Sequence, residues 1–190
     1  MPTTTISPVD YGFINLISGV YGSGEGLILA SVTSSQASNE NRAFWFYDTS
    51  DATTGIPASA IIDSVIWNST LYSVSYGIID EFNRQFLFYG SNTGEAGGSI
   101  DAGDWGVVTT LLNGFASLST GAISLNVTND YGSTPFGINR NGYTNFSWQT
   151  QIFEGGSPGG WQLYSSWSSG TLDITWHLPA SGRSFGTIIG

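Results

Sequence analysis

The feature that most constrains the fold of this chain is the alternation of apolar and polar residues with a period of two. Residues 122–128 and 171–178 alternate in this way, and no window of eleven residues or more has the 3.6-residue period of an amphipathic helix. Gly, Asn, Asp and Ser bound the alternating segments, as they bound strands in general. The sequence therefore predicts an all-β chain. On the second segment we expect four inward side chains: Leu172, Ile174, Trp176 and Leu178.

Two further segments, 42–48 and 84–89, are so rich in aromatic residues that we expect central strands covered on both faces. Two Asn-Gly pairs, at 113–114 and 141–142, predict hairpin turns because both residue types tolerate positive φ. With the remaining segments this gives about nine or ten strands, a number and spacing typical of an antiparallel two-sheet β-sandwich. The remaining strand segments are 27–33, 61–74 (one long strand or two short ones), 105–112, 144–152 and 161–167.

The two ends of the chain differ from the sandwich domain predicted for residues 11–178. Residues 1–10 contain two prolines and three consecutive threonines and predict an extended N-terminal arm. The tail at 179–190 carries large apolar residues, whereas a free tail is normally polar. We expect the tail either to pack on its own domain or to add to a neighbouring subunit. The candidate assembly contacts are Thr3, Thr4, Thr5, Ile6, Phe185, Ile188 and Ile189.

The charge composition excludes two classes of partner. The chain has 4 Lys+Arg, all of them arginine, against 14 Asp+Glu, for a formal net charge of -10. Binding to nucleic acid or to an anionic membrane surface requires a basic patch, which four scattered arginines do not supply. No apolar run reaches the 18 residues or more of a membrane span. We therefore expect neither a nucleic-acid nor a membrane partner.

The residues available for catalysis are few. The chain has no Cys, and its one histidine, His177, falls on the outward phase of a strand near its end. Residues 155–159 match the letters G-x-S-x-G of a nucleophile elbow around Ser157, but no helix follows, and that motif requires one. Sequence does not pair the scattered carboxylates as a glycosidase would need. We therefore predict a protein that is not an enzyme.

Calcium is the one cofactor for which the chain offers candidate ligands. Glu95, Asp101 and Asp104 lie in or beside one Gly-rich loop. Calcium binds carboxylate and backbone oxygens of such loops. The spacing does not match an EF-hand, and Asp and Gly also form turns without any metal. Either calcium binding or a purely structural loop fits this pattern.

The aromatic residues offer a second candidate site. The chain has 7 Trp, and four aromatic residues fall near predicted loops: Trp105, Trp161, Tyr164 and Trp167. Aromatic rings can stack on the faces of sugars, so these residues are candidate glycan contacts. Packing in the core or at an interface is the alternative role for them.

Four segments resemble DNRLRE-type jelly-roll domains. The segment 42–50, a strand ending in Asp48, precedes an Ile-Pro-x-x-Ala-x-Ile turn within residues 55–67, as in that family. Residues 139–148 resemble its later Gly-Tyr-Thr-x-Phe strand, and residues 161–176 its closing hairpin. The resemblance covers roughly residues 42–177, apart from an extra segment around 90–112. It implies an antiparallel jelly roll related to carbohydrate-binding modules, with adhesion, structural or binding roles instead of catalysis.

These observations predict a virion structural protein. Met1 is followed by Pro-Thr-Thr-Thr, without a basic start or an apolar stretch, so we expect no secretory leader. A phage protein reaches the outside by lysis after synthesis in the host cytoplasm, and low charge (9% of residues) lessens the cost of packing subunits together. We predict a capsid decoration (cement) protein or a head or tail appendage subunit that binds a major capsid or tail protein and copies of itself. The alternatives are an extracellular carbohydrate-binding adhesion module that binds a surface glycan, and an extracellular filament or surface-layer subunit.

Overall fold

A computed structural model describes residues 1–15, 21–23, 28–33, 40–75, 84–94, 97–129, 136–152 and 162–180. Within them lie a four-residue helix, α1 (Asp51–Thr54), one 3-10 helix (Ala102–Gly106) and twelve strands. No helix in these ranges is long and apolar enough to cross a membrane. The strands are β1 (Thr3–Ile6), β2 (Asp10–Asn15), β3 (Tyr21–Ser23), β4 (Ile28–Thr33), β5 (Glu40–Asp48), β6 (Ile61–Ser75), β7 (Arg84–Ser91), β8 (Thr110–Phe115), β9 (Gly121–Asn126), β10 (Tyr143–Ile152), β11 (Gln162–Trp167) and β12 (Thr171–His177).

The strands form two antiparallel sheets that pack against each other, which confirms the predicted β-sandwich. In the first sheet, β6 pairs with β11 and β12 and also with β9, while β1 pairs with β12 and β4 with β11. The second sheet has the order β3, β2, β5, β10, β7, β8. The two sheets are joined where β4 pairs with the start of β5. The 61–74 segment is thus one long strand, at the centre of the first sheet.

The core between the sheets is built on four fully buried tryptophans. Trp45 and Trp148 come from the second sheet, and Trp67 and Trp167 from the first. The rings of Trp148 and Trp167 stack with centroids 4.6 Å apart, and those of Trp45 and Trp67 meet edge to face at 5.1 Å. Such aromatic pairs add to the stabilisation that burial of their apolar area provides.

A second, smaller core covers the outer face of the second sheet. Phe44 and Phe46 of β5 pack there with Ile14, under Ile100 and Val108 of the segment that contains the 3-10 helix. The other side chains of β5, such as Trp45, face the core between the sheets. This two-sided burial confirms that segment 42–48 is a central strand covered on both faces. Strand β10 is also buried on both faces, so both its aromatic and its polar residues are buried.

Three local predictions are wrong. Segment 105–112 does not form one strand, because Asp101 and Asp104 form a capping box that starts the 3-10 helix containing Trp105, and β8 begins only at Thr110. The pair 113–114 lies inside β8, opposite Phe88 and Leu87 and beside an irregularity in the register, and makes no hairpin. The pair 141–142 does lie in a turn, but that turn leads into β10 without joining two paired strands.

The alternating strands are otherwise placed as predicted. Ile123 and Leu125 of β9 are half-buried and Val127 is buried, while Leu172 and Ile174 of β12 are fully buried. Leu178 is the exception, because β12 ends at His177 and the Leu178 side chain is 55% exposed. The predicted inward position of Leu178 is therefore wrong.

Candidate functional site

Three large apolar side chains are exposed at one end of the first sheet. The Trp176 amide donates to the Pro2 carbonyl, and His177 at the end of β12 lies opposite Ile61 at the start of β6. The register thus brings Met1, Ile61 and Leu178 to the same end of the sheet, where they are 84%, 48% and 55% exposed. They are three of the five exposed large apolar side chains in the described ranges. We call these three residues the apolar corner.

The only histidine lies beside the apolar corner. His177 Nδ1 is 2.8 Å from both carboxylate oxygens of Asp63, and the side chains are 41% and 24% exposed. His177 thus faces outward, as its phase on the strand predicts, and makes a partly solvated contact with a carboxylate. Because the pair is partly hydrated, its contribution to stability is small.

The N-terminal segment forms a strand on its own domain. In β1, Thr3 lies opposite Thr175, and their hydroxyl oxygens are 3.1 Å apart. The Trp176 indole donates to the Thr4 hydroxyl oxygen at 3.3 Å, and Ile6 packs against the main core. The four candidate contacts at residues 3–6 therefore form an edge strand of the first sheet. The tail candidates Phe185, Ile188 and Ile189 lie outside the described residues.

A row of polar side chains crosses the outer face of the first sheet. The Thr5 hydroxyl donates to one carboxylate oxygen of Asp173 at 2.6 Å, and the side-chain amide of Asn68 donates to the other at 2.9 Å. The Ser124 hydroxyl in turn donates to the side-chain oxygen Oδ1 of Asn68 at 2.6 Å. These bonds link β1, β12, β6 and β9 in one network, so the edge strand is held by side chains as well as by its backbone.

The acidic loop uses its carboxylates to shape its own backbone. The Asp101 amide donates to Asp104 Oδ2 and the Gly103 amide to Asp101 Oδ1, both at 2.6 Å. From β2, Asp10 accepts from the Ile100 amide at 2.9 Å. In the described ranges no three His, Cys, Asp or Glu side chains converge as metal ligands would, and Glu95 lies outside those ranges. These contacts explain the loop without a metal, and calcium binding stays a hypothesis.

The buried carboxyl of this loop gives a pH-dependent prediction. Burial and the neighbouring Asp101 and Asp10 raise the pKa of Asp104 from 3.8 to about 6, although the Asp101 amide opposes the shift. Because the pKa is higher in the folded protein, this group's contribution to stability is complete below about pH 4 and lost as the pH rises through about 6. We expect the Asp104→Asn variant to lack this fall in stability as the pH rises. Urea denaturation of the wild-type protein and the variant between pH 4 and pH 7.5 would measure the difference.

Acidic groups away from this loop contribute equally to both proteins, so the difference between the two pH profiles reports Asp104 together with the two carboxylates that interact with it, Asp101 and Asp10. Carbon-13 NMR titration of the Asp104 carboxyl supplies the direct check. An observed pKa below 4 would show that hydrogen bonding to the carboxylate outweighs its burial.

One of the four candidate glycan contacts lies in the core. Trp167 is fully buried between the sheets, which excludes it from stacking on a sugar and corrects that assignment. Its position follows from the pairing of β11 with both β6 and β4, which places it in the core. Tyr164 lies in β11 and Trp105 in the 3-10 helix, and Trp161 lies outside the described residues.

Sequence reasoning missed the role of Arg140. Its guanidinium Nε lies 2.7 Å from Asp51 Oδ1, and its Nη1 donates to the Ala60 carbonyl oxygen at 2.9 Å. It also donates to the carbonyl oxygens of Ile56, Pro57 and Ala58, so it holds the whole turn between α1 and β6. We call this arrangement the Arg140 clamp. The clamp joins residues 55–67 to residues 139–148. Both segments belong to the resemblance to DNRLRE-type domains, and that resemblance was the only feature of the sequence that pointed to the clamp.

No protein-family model matches this chain, and a comparison with curated proteins found no match. The resemblance to DNRLRE-type domains therefore rests on the quoted motifs.

Proposed function

We propose that the protein is a non-enzymatic structural subunit of a virion, either a phage capsid decoration protein or a subunit of a head or tail appendage. The observation that carries this proposal is the apolar corner. Met1, Ile61 and Leu178 each expose a large side chain at this end of the sheet, and covering them is favourable by about 25 cal/mol per Å² of apolar surface. Clustered exposed apolar residues are typical of interaction surfaces.

The occupant we propose for the corner is a second copy of the chain. In the sequence, Leu178 is followed by a tail with three further large apolar residues, Phe185, Ile188 and Ile189. When two copies meet at the corner, each covers exposed apolar side chains of the other. Beside the corner, Asp63 and His177 already contact each other, so covering this surface does not leave either side chain without a partner.

The adjacent edge strand supports the same proposal. The sequence of β1 is Thr-Thr-Thr-Ile, and it pairs with β12 along one side only in the described structure. Edge strands that avoid association usually carry a charge or a proline. Here Pro2 precedes the strand, but no charged residue lies within it. A capsid or tail protein could add its own strand to this edge.

We expect the full chain to form a closed oligomer in size-exclusion chromatography with light scattering, and the double variant Ile61→Ser/Leu178→Ser to be a monomer. The double variant replaces two of the three large apolar side chains of the corner in each copy with small polar ones, which removes apolar surface that association would cover. The matched control is Tyr72→Ser, because Tyr72 is 61% exposed on the same strand but far from the corner. Deletion of residues 181–190 tests the tail separately.

Sedimentation with capsid shells from the same genome tests the virion assignment. A chain that neither self-associates nor sediments with shells would contradict the proposal. Polymers in negative-stain images would instead favour the filament or surface-layer subunit. A monomer retained by insoluble polysaccharide would favour the adhesion module.

A further inference from the structure

The backbone of β1 presents hydrogen-bonding groups on the side away from β12, which we call the outer edge of β1. The Trp176 amide donates to the Pro2 carbonyl oxygen at 3.1 Å, so these two residues form a hydrogen-bonded pair of the ladder. Such pairs alternate with non-bonded pairs along an antiparallel ladder. Thr4 therefore also bonds to β12, whereas the amides and carbonyls of Thr3 and Thr5 point to the outer edge. In the part of the chain that the structure describes, no strand lies on that side.

The strand β1 lacks the devices that keep other strands away from an edge. Protected edge strands carry charged residues or a proline. The sequence of β1 has no charged residue, although the chain has a net charge of -10. Pro2 stands at a position that faces β12, so its missing N–H takes no donor from the outer edge. Asp173 lies one strand further in, where it accepts hydrogen bonds from Thr5 and Asn68.

The outer edge of β1 is complementary to itself. A two-fold axis perpendicular to the sheet keeps the outer faces of two copies on the same side, so residues opposite each other must share a face. Thr3 and Thr5 share the outer face, where their hydroxyls contact Thr175 and Asp173. When Thr4 lies opposite Thr4 of a second copy, Thr3 lies opposite Thr5 of that copy, and both have backbone groups that face the edge. A register centred on Thr3 or on Thr5 would instead place bonded pairs outside the strand.

We propose that two copies of this chain join their β1 strands antiparallel, with Thr4 at the two-fold axis, so that the first sheet continues from one copy into the other. Such an isologous contact closes at two copies. The proposal rests on the assembly proposed above and specifies its geometry, because a short strand pair is marginal unless apolar contacts support it.

The same register supplies those apolar contacts. It places Met1 of one copy beside Ser7 of the other, two residues before Val9, which is 53% exposed. The apolar corner of each copy thus lies at the Val9 end of its partner. Together with Val9, the corner accounts for four of the five exposed large apolar side chains in the described ranges.

Size-exclusion chromatography with light scattering on the full chain and on a Thr5→Pro variant tests the proposal. Proline at this position removes an amide that faces the edge and none that bonds to β12, so the domain should still fold. We expect the full chain to be a dimer, and the dissociation constant to rise about tenfold or more in Thr5→Pro, because symmetry removes the hydrogen bond twice. The matched control is Thr5→Val, which loses the same hydroxyl but keeps the amide and should keep the dimer.

Amide hydrogen exchange supplies a second test that needs no variant. The Thr3 and Thr5 amides should be protected at high protein concentration and should lose this protection on dilution. The Thr4 amide, which bonds to β12, should keep its protection at both concentrations.

A dimer that Thr5→Pro leaves unchanged would overturn the proposal. If Ile61→Ser/Leu178→Ser converted that dimer into a monomer, the assembly through the corner would stand without it. Equal protection of the Thr3 and Thr5 amides at every concentration would also overturn it, because the edge would then be covered within one copy.

A Thr5→Pro variant that dimerises normally but no longer sediments with capsid shells would assign the edge to a strand of a capsid or tail protein instead. A full chain that stays a monomer at every concentration would contradict both this proposal and self-association through the corner.

Discussion

Trp67→Ala should lower the free energy of unfolding by about 3–5 kcal/mol, the range for removing a large buried aromatic side chain. The Trp67 ring is fully buried at the centre of the sandwich. Its centroid lies 4.8 Å from that of Phe88, 5.1 Å from Trp45 and 5.6 Å from Trp167. The substitution therefore leaves a cavity between the two sheets and removes contacts to both. Guanidinium denaturation followed by far-ultraviolet circular dichroism would measure the loss.

The control for Trp67 lies five residues further along the same strand. Tyr72 is 61% exposed, so Tyr72→Ala should change the free energy of unfolding by no more than about 0.5 kcal/mol. Because both substitutions shorten an aromatic side chain on β6, a difference between them reports burial and not strand propensity. Similar losses for the two variants would contradict the arrangement of the core.

Arg140→Met should cost about 2–3 kcal/mol, because hydrogen bonds to a charged group are worth more than neutral ones and several are lost together. The guanidinium donates to the carbonyl oxygens of Ile56, Pro57, Ala58 and Ala60, and its side chain is 23% exposed. Without it, these four carbonyl oxygens of the turn that leads into β6 lose a hydrogen bond. Urea denaturation would give the change in stability, and amide hydrogen exchange at residues 56–60 would locate it.

Two further variants separate the clamp from the ion pair. Asp51→Asn removes the charge partner but leaves the contacts to the carbonyls, so we expect a loss of no more than about 1 kcal/mol. Arg140→Lys keeps the charge but cannot span several carbonyls with one ammonium group, so it should resemble Arg140→Met. If Asp51→Asn proved as costly as Arg140→Met, the ion pair and not the clamp would stabilise the turn.

The candidate sites were less predictable from sequence than the strands. Aromatic residues near predicted loops pointed to Trp167, but β11 pairs on both sides and takes that ring into the core. The polar network on the outer face of the first sheet depends on Asn68, Ser124 and Asp173, which are distant in sequence and meet only through strand register. Neither a motif nor a local period marks such residues, because cross-strand neighbours are set by pairing.

The sequence by itself determined the all-β class and the burial of most strands. Period two fixes which side chains of β9 and β12 share a face, and aromatic density marks β5 as covered on both sides, because these are local properties of a pleated chain. Only the tertiary structure decided that β12 ends before Leu178, that Arg140 holds the turn at 56–60, and that Trp167 lies in the core between the sheets. Each of these depends on contacts between segments far apart in sequence, and local patterns carry no record of such contacts.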